Sequence, residues 1–212
     1  MHRHTLLLLL SVVILAACSK SPEDLPKYKK KFRAQIASFE DQKIKADERV
    51  NEGVNMLNGL QGALENAKNV DKEFATVYGK WEKVNKQVED LNKEYEGLKQ
   101  DADNLFSAME RQTAGLNDAS TRQELEKGIK TTRADYEKTL ANTAAAIAQL
   151  RALHTEAVDV VKALEVAIAL GQIAEINSGL KSIEDKVAAI MNDLNQTVNE
   201  SKELYENRIG NI

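Results

Sequence analysis

The side chain best suited to reaction is Cys18, the one thiol in 212 residues. A thiol can close a disulfide, hold a metal, attack a carbonyl or carry an acyl group. A disulfide within the chain needs a second cysteine, and there is none. A metal needs further ligands at close spacing, and a nucleophile needs a base with an orienting acid. The histidines are His2, His4 and His154, and no Glu-x-x-His pair, His-Glu-x-x-His run, Cys–His cluster or glycine-rich phosphate loop occurs. His154 falls on an apolar seam, where Glu156 or a facing helix would be its neighbour, with no nucleophile to serve. The carboxylates alternate with lysines, as on solvated helix faces. The sequence therefore predicts no catalytic residue, no cofactor, no metal site and no small-molecule substrate: a protein that is not an enzyme. Acylation is the chemistry left for Cys18.

What precedes Cys18 fits that chemistry. Arg3, flanked by His2 and His4, opens the chain, and Leu6 to Ala17 follow as twelve residues with a single hydroxyl, Ser11. As a helix they would span about 18 Å, against a hydrocarbon core of roughly 30 Å. A basic start, a short apolar run and small residues at its end make a secretory signal over residues 1–17, not a membrane span. Leu15-Ala16-Ala17-Cys18 resembles the lipobox of bacterial lipoproteins. The resemblance implies that Cys18 carries a diacylglyceryl group on sulfur, becomes the mature N-terminus and is acylated on its amine. Two or more chains anchor stably where one does not. Ser19 stands where an Asp marks inner-membrane retention in enteric bacteria, so the expected location is the outer membrane, facing the periplasm. Residues 18–26 are then the lipidated Cys and its tether.

The formal charge is −4, with 29% charged and 5% aromatic residues. Losing residues 1–17 removes Arg3 and no acid, giving −5; such a balance argues against nucleic acid as a partner. The composition suits long helices with a narrow apolar seam. Both prolines, Pro22 and Pro26, lie ahead of residue 27, and a loop-rich domain would recruit more of them for its turns.

The periodicity agrees. Steps of three and four from Phe74 through Val77, Trp81, Val84, Val88, Leu91, Tyr95, Leu98, Ala102, Leu105, Met109 and Gln112 to Leu116 meet apolar residues at every position but Gln112. This is the heptad of a coiled-coil helix. Weaker seams run from Phe32 to Leu64, with Lys43 and Gly53 on them, from Leu125 to Ile168, and from Ile173 to Leu194. The last fades at Thr197 and Ser201 and resumes at Leu204. The expected breaks are at 65–73, where Asp71 can cap, at 115–124, and near Gly171. At the second, Gly115 suits a left-handed cap and Ser120 with Gln123 a capping box. The predicted fold is all-α: an elongated antiparallel bundle or coiled coil over 27–212, with four long helices at about 27–66, 71–114, 120–169 and 172–207.

Lys27, Lys29, Lys30, Lys31 and Arg33 begin the first helix, the wrong sign for its dipole, and Glu200, Glu203 and Glu206 end the last. An even number of antiparallel helices would bring the two sets together for mutual relief. The five cations are also candidates for contact with a membrane or another acidic surface, since the tether is short. The apolar stretch 157–170, interrupted by Asp159, Lys162 and Glu165, fits a lipid- or partner-contacting face or, as expected here, a helix buried between neighbours.

Three stretches, "NLFSAMERQ" at 104–112, "STRQELEKGIKTTRADYEKTL" at 120–140 and "LKSIEDKVAAIMNDL" at 180–194, resemble a family of bacterial helical lipoproteins known as a domain of unknown function. The resemblance implies helical architecture and envelope location, and no activity. Two functions follow as expectations. One is a lipid-anchored structural or interaction protein of the cell envelope, with a protein partner or self-association through its seams. The other is a membrane- or lipid-binding bundle that senses or shapes the bilayer.

Overall fold

The computed structural model describes residues 24–65, 69–170 and 177–209. Cys18, the signal segment before it and Gly171 lie outside them. Four long helices follow in order: α1, Asp24–Glu65; α2, Val70–Ala114; α3, Ala119–Ala169; and α4, Asn177–Glu203, which ends in a π-helical segment, Leu204–Ile209. The described residues are all-α, as the spacing predicts, and the helices pack as a bundle.

α2 and α3 start where a side chain can satisfy the free N–H groups of a first turn. For α2 that residue is Asn69, with extended backbone (φ −148°, ψ 98°) and Oδ1 accepting from Lys72 N–H at 3.1 Å. For α3 it is Asp118 (φ −73°, ψ 114°), whose Oδ1 accepts from Thr121 N–H at 2.7 Å. Hydrogen bonding from Thr121, its side chain first and its N–H second, holds the Asp118 carboxyl below the usual carboxylate range. The expected caps, Asp71 and Ser120, are instead inside their helices. Gly115 also departs from expectation: its φ of −80° and ψ of −5° are right-handed, and its N–H donates to Gln112 O at 3.2 Å. The start of α1 precedes its expected position, so Pro26 lies in the first turn, where a missing N–H costs no intrahelical bond.

Cross-helix pairs fix the topology. Gln35 reaches Glu94 and Glu52 reaches Lys80, between α1 and α2. Tyr95 reaches Leu140 and Glu82 lies beside His154 between α2 and α3; Tyr136 reaches Ser201 and Glu156 reaches Lys186 between α3 and α4; Glu40 reaches Lys202 and Lys43 reaches Asn195 between α1 and α4. In every pair one number rises as the other falls, so each helix is antiparallel to both its neighbours, in a closed four-membered ring. The start of α1, the α2–α3 turn and the end of α4 share one end of the bundle.

The seam of α2 lies wholly in the core from Phe74 to Leu105, with Trp81, Val88, Leu91 and Leu98 fully buried. Phe32, Ile36, Phe39, Val50, Leu57 and Leu60 face it from α1. Past Leu105 the stepping fails. Phe106, Ala108 and Thr113 are buried, Met109 is half-buried and Gln112 is exposed. On α3, Leu125 is exposed where the seam placed it inside, and burial begins at Ile129. Among the described residues every buried side chain lies between Phe32 and Leu204, with Leu25 packed half-buried against that core.

Candidate functional site

The cations at the start of α1 form one exposed face. At 100° per residue, Lys27, Lys30 and Lys31 point away from the side that carries Phe32, Ile36 and Phe39; those three are buried and the lysines exposed. Lys29 is half-buried. The Arg33 guanidinium lies 5.7 Å from the centre of the Tyr205 ring, a cation–π contact with the end of α4. The two charged termini are thus neighbours. Yet Glu200 turns to α3, accepting from the Thr139 hydroxyl, and to Gln196 Nε2 at 2.6 Å. Further along α1, Lys45 pairs with Asp41 at 2.6 Å and Arg49 with Glu52 at 2.9 Å. Among the described residues no ion pair or hydrogen bond engages the ammonium group of Lys27, Lys29, Lys30 or Lys31.

Cys18, the candidate lipidation site, lies outside the described residues. Asp24, at the start of α1, is six residues on.

His154 is largely buried on α3, its Nε2 3.8 Å from Glu82 Oε1 on α2 and without a hydrogen-bond partner among the described residues. Glu156 turns the other way, taking Lys186 Nζ on α4 at 2.7 Å. The charged group nearest the imidazole among the described residues is one exposed carboxylate, Glu82. Among the described residues no three His, Cys, Asp or Glu side chains are grouped to hold a metal ion.

The fading seam of α4 is a buried layer of hydroxyls. Thr197 and Ser201 are fully buried. The Thr197 hydroxyl lies 2.7 Å from that of Thr143, and Ser201 Oγ lies 3.0 Å from Tyr136 Oη. Lys43, buried on α1, donates to Asn195 Oδ1 on α4. These groups satisfy one another across the bundle. Shallow grooves of about 280 and 310 Å³ open over this layer between α3 and α4, lined by Thr139 and Glu200 in both cases.

Tyr136 is the titratable centre of that layer. Its ring meets Phe32 edge-on at 5.8 Å and 84°. Burial pushes its phenol far up, the Ser201 hydrogen bond opposing and the charge of Glu200 assisting. The phenol of Tyr95, which donates to Leu140 O at 3.0 Å, is raised by burial too. A tyrosine in the unfolded chain ionises near pH 10. Above that pH the unfolded state sheds protons that the folded state keeps, so stability is full below about pH 10 and falls as pH rises further. Tyr136→Phe is expected to lose a little stability at neutral pH, about 1 kcal/mol for the hydrogen bond. It should also lose less melting temperature than the parent between pH 9 and pH 11. Parallel curves for the two proteins would show that Tyr136 does not carry the alkaline sensitivity.

The apolar stretch of α3 is mostly bundle packing. Ala157, Val161 and Leu164 are in the core and Val158, Val160 and Ile168 pack half-buried against it. Val166 and Leu170, 60% and 66% exposed, remain as an apolar patch at the end of the bundle remote from the start of α1. Among the described residues no helix is long and apolar enough to cross a membrane.

Comparison with known proteins places the whole bundle in one unit. A family model described as a protein of unknown function, DUF2959, matches residues 25–207. No curated protein and no solved structure matches the chain.

Proposed function

We propose, from the premise that this chain belongs to the DUF2959 family of proteins of unknown function, that it is a lipid-anchored structural or interaction protein of the bacterial cell envelope. The observation that carries this reading is Leu15-Ala16-Ala17-Cys18 closing a basic and then apolar leader, with Cys18 the only thiol in the chain. Fatty chains on Cys18 hold the N-terminus in the membrane, and Ser19 favours the outer one. Cys18 lies only six residues before the start of α1, so the bundle stays close to the leaflet. Its hydrophobic groups are spent on packing and its buried hydroxyls on one another. The outer surface is left for contact with protein, and the exposed Val166 and Leu170 at the far end give a partner or a second copy an apolar foothold.

The intact mass of the chain purified from membranes tests this directly. The expected species begins at Cys18 and carries the mass of its acyl groups. A mature chain that keeps residues before Cys18, or that begins at Cys18 with a free thiol and amine, would overturn the reading.

A further inference from the structure

We infer that the exposed basic face at the start of α1 is a docking surface for anionic phospholipid headgroups of the leaflet that holds the anchor. This rests on the reading of Cys18 as the anchor. Three observations converge on it. Lys27, Lys30 and Lys31 share one exposed side of α1, and among the described residues no carboxylate pairs with any of them, whereas Lys45 and Arg49 on the same helix are paired. The patch is confined to the first two turns, next to the tether: beyond Arg33 the exposed stripe of α1 runs through Ala34 and Ala37 to the paired Asp41 and Lys45. And Cys18 lies only six residues before Asp24, a reach of at most about 21 Å. The acids at the neighbouring end of α4, Glu203 and Glu206, offset the patch only in part; Glu200 faces Thr139 on α3.

The shape of that end dictates how the body must sit. Gln35 lies opposite Glu94 and Gln42 opposite Gln87, so Asp24 is level with about residue 105 of α2. The α2–α3 turn therefore stands roughly 13 Å beyond the start of α1. A bundle upright on that turn would hold Lys27 farther from the surface than the Debye length of about 8 Å, where its charge is screened. Contact requires the body to lean, with the outer side of α1 on the leaflet. The tether permits this.

Vesicle sedimentation of the chain from Ser19 onward, without acyl chains, isolates the contact from the anchor; the bundle's core lies wholly within this chain. It is expected to bind vesicles of phosphatidylglycerol and phosphatidylethanolamine, and to be released as salt is raised. Vesicles of phosphatidylcholine alone should leave it in solution. Lys27→Glu, Lys30→Glu and Lys31→Glu together should weaken binding by a hundredfold or more, on the order of tenfold or less for each charge lost, with helical content unchanged by circular dichroism. Equal binding to neutral vesicles, equal binding by the triple variant, or no binding to anionic vesicles would each overturn the proposal. None of these results bears on the mass of the mature chain, so failure of the headgroup contact is separable from failure of the anchor.

Discussion

Cys18→Ser should move the chain from the membrane pellet to the soluble fraction once membranes are washed in high salt, and should abolish labelling by radioactive palmitate. The size of the effect follows from what each attachment contributes. A buried methylene is worth about 0.8 kcal/mol, so several acyl chains hold a protein where a single one binds marginally. The lysine face of α1 supplies about 1 kcal/mol per residue, and at 1 M salt the screening length falls to about 3 Å. Nothing else among the described residues substitutes for the lipid, since no helix there can span a bilayer. The most apolar stretch of α3 carries Asp159, Lys162 and Glu165, and turns Val161 and Leu164 into the core. If the leader stays on the variant, its twelve apolar residues reach about 18 Å, well short of a span. Retention of Cys18→Ser in salt-washed membranes would remove the lipid from the account. Retention in low salt alone is what the lysine face predicts.

The proposed anchor is read from the sequence alone; the basic run is read there too, as a candidate membrane contact, and the structure adds which of its cations are exposed and unpaired among the described residues. Leu15 to Cys18 is a local pattern that needs no fold to be read. That Lys27, Lys30 and Lys31 lack partners depends on which carboxylates four packed helices bring near, and the run of charge alone cannot say. The same division runs through the bundle. Phe74 to Leu105 declare themselves because α2 is flanked by α1 and α3 over that length, and a fixed interface produces a fixed period. Among the described residues α1 begins level with Leu105, so beyond it the described neighbour of α2 is α3, and its buried side turns to Phe106, Ala108 and Thr113. Leu125 is exposed for the matching reason: it lies beyond the start of α1 and the end of α4. The period of one helix holds no record of where its neighbours stop. The hydroxyls of Thr197 and Ser201 look like a lapse in an apolar seam until Thr143 and Tyr136 are seen across from them. The caps failed more narrowly. Asn69 and Asp71, like Asp118 and Ser120, are pairs of competent residues two apart, and the member with extended backbone takes the role.

Trp81→Ala should cost about 3–5 kcal/mol, and with a melting temperature falling 2–4 °C per kcal/mol in a chain of this size, roughly 6–20 °C. The indole is fully buried at the α1–α2 interface, the most extensive in the bundle. It sits over Gly53, where an added Cβ would come within 3.2 Å of ring atoms Cε2 and Cζ2. Its Nε1–H finds no acceptor among the described residues, and a buried donor left unpaired costs about 1–3 kcal/mol. Trp81→Phe loses part of the packing but also loses that donor, so its deficit should be well under half that of the alanine variant. Gly53 supplies the control. In a helix interior Ala is better than Gly by about 1 kcal/mol. With Trp81 in place that gain is opposed by crowding against a fully buried ring that would have to shift by a few tenths of an ångström, so Gly53→Ala should be neutral or destabilising. In the Trp81→Ala background the obstruction is gone, and Gly53→Ala should stabilise by close to the full helical preference. Chemical denaturation of the four proteins of this cycle measures the coupling. A Gly53→Ala effect that ignores residue 81, or equal losses for Phe and Ala at 81, would mean that the indole is not wedged against α1 as this packing requires.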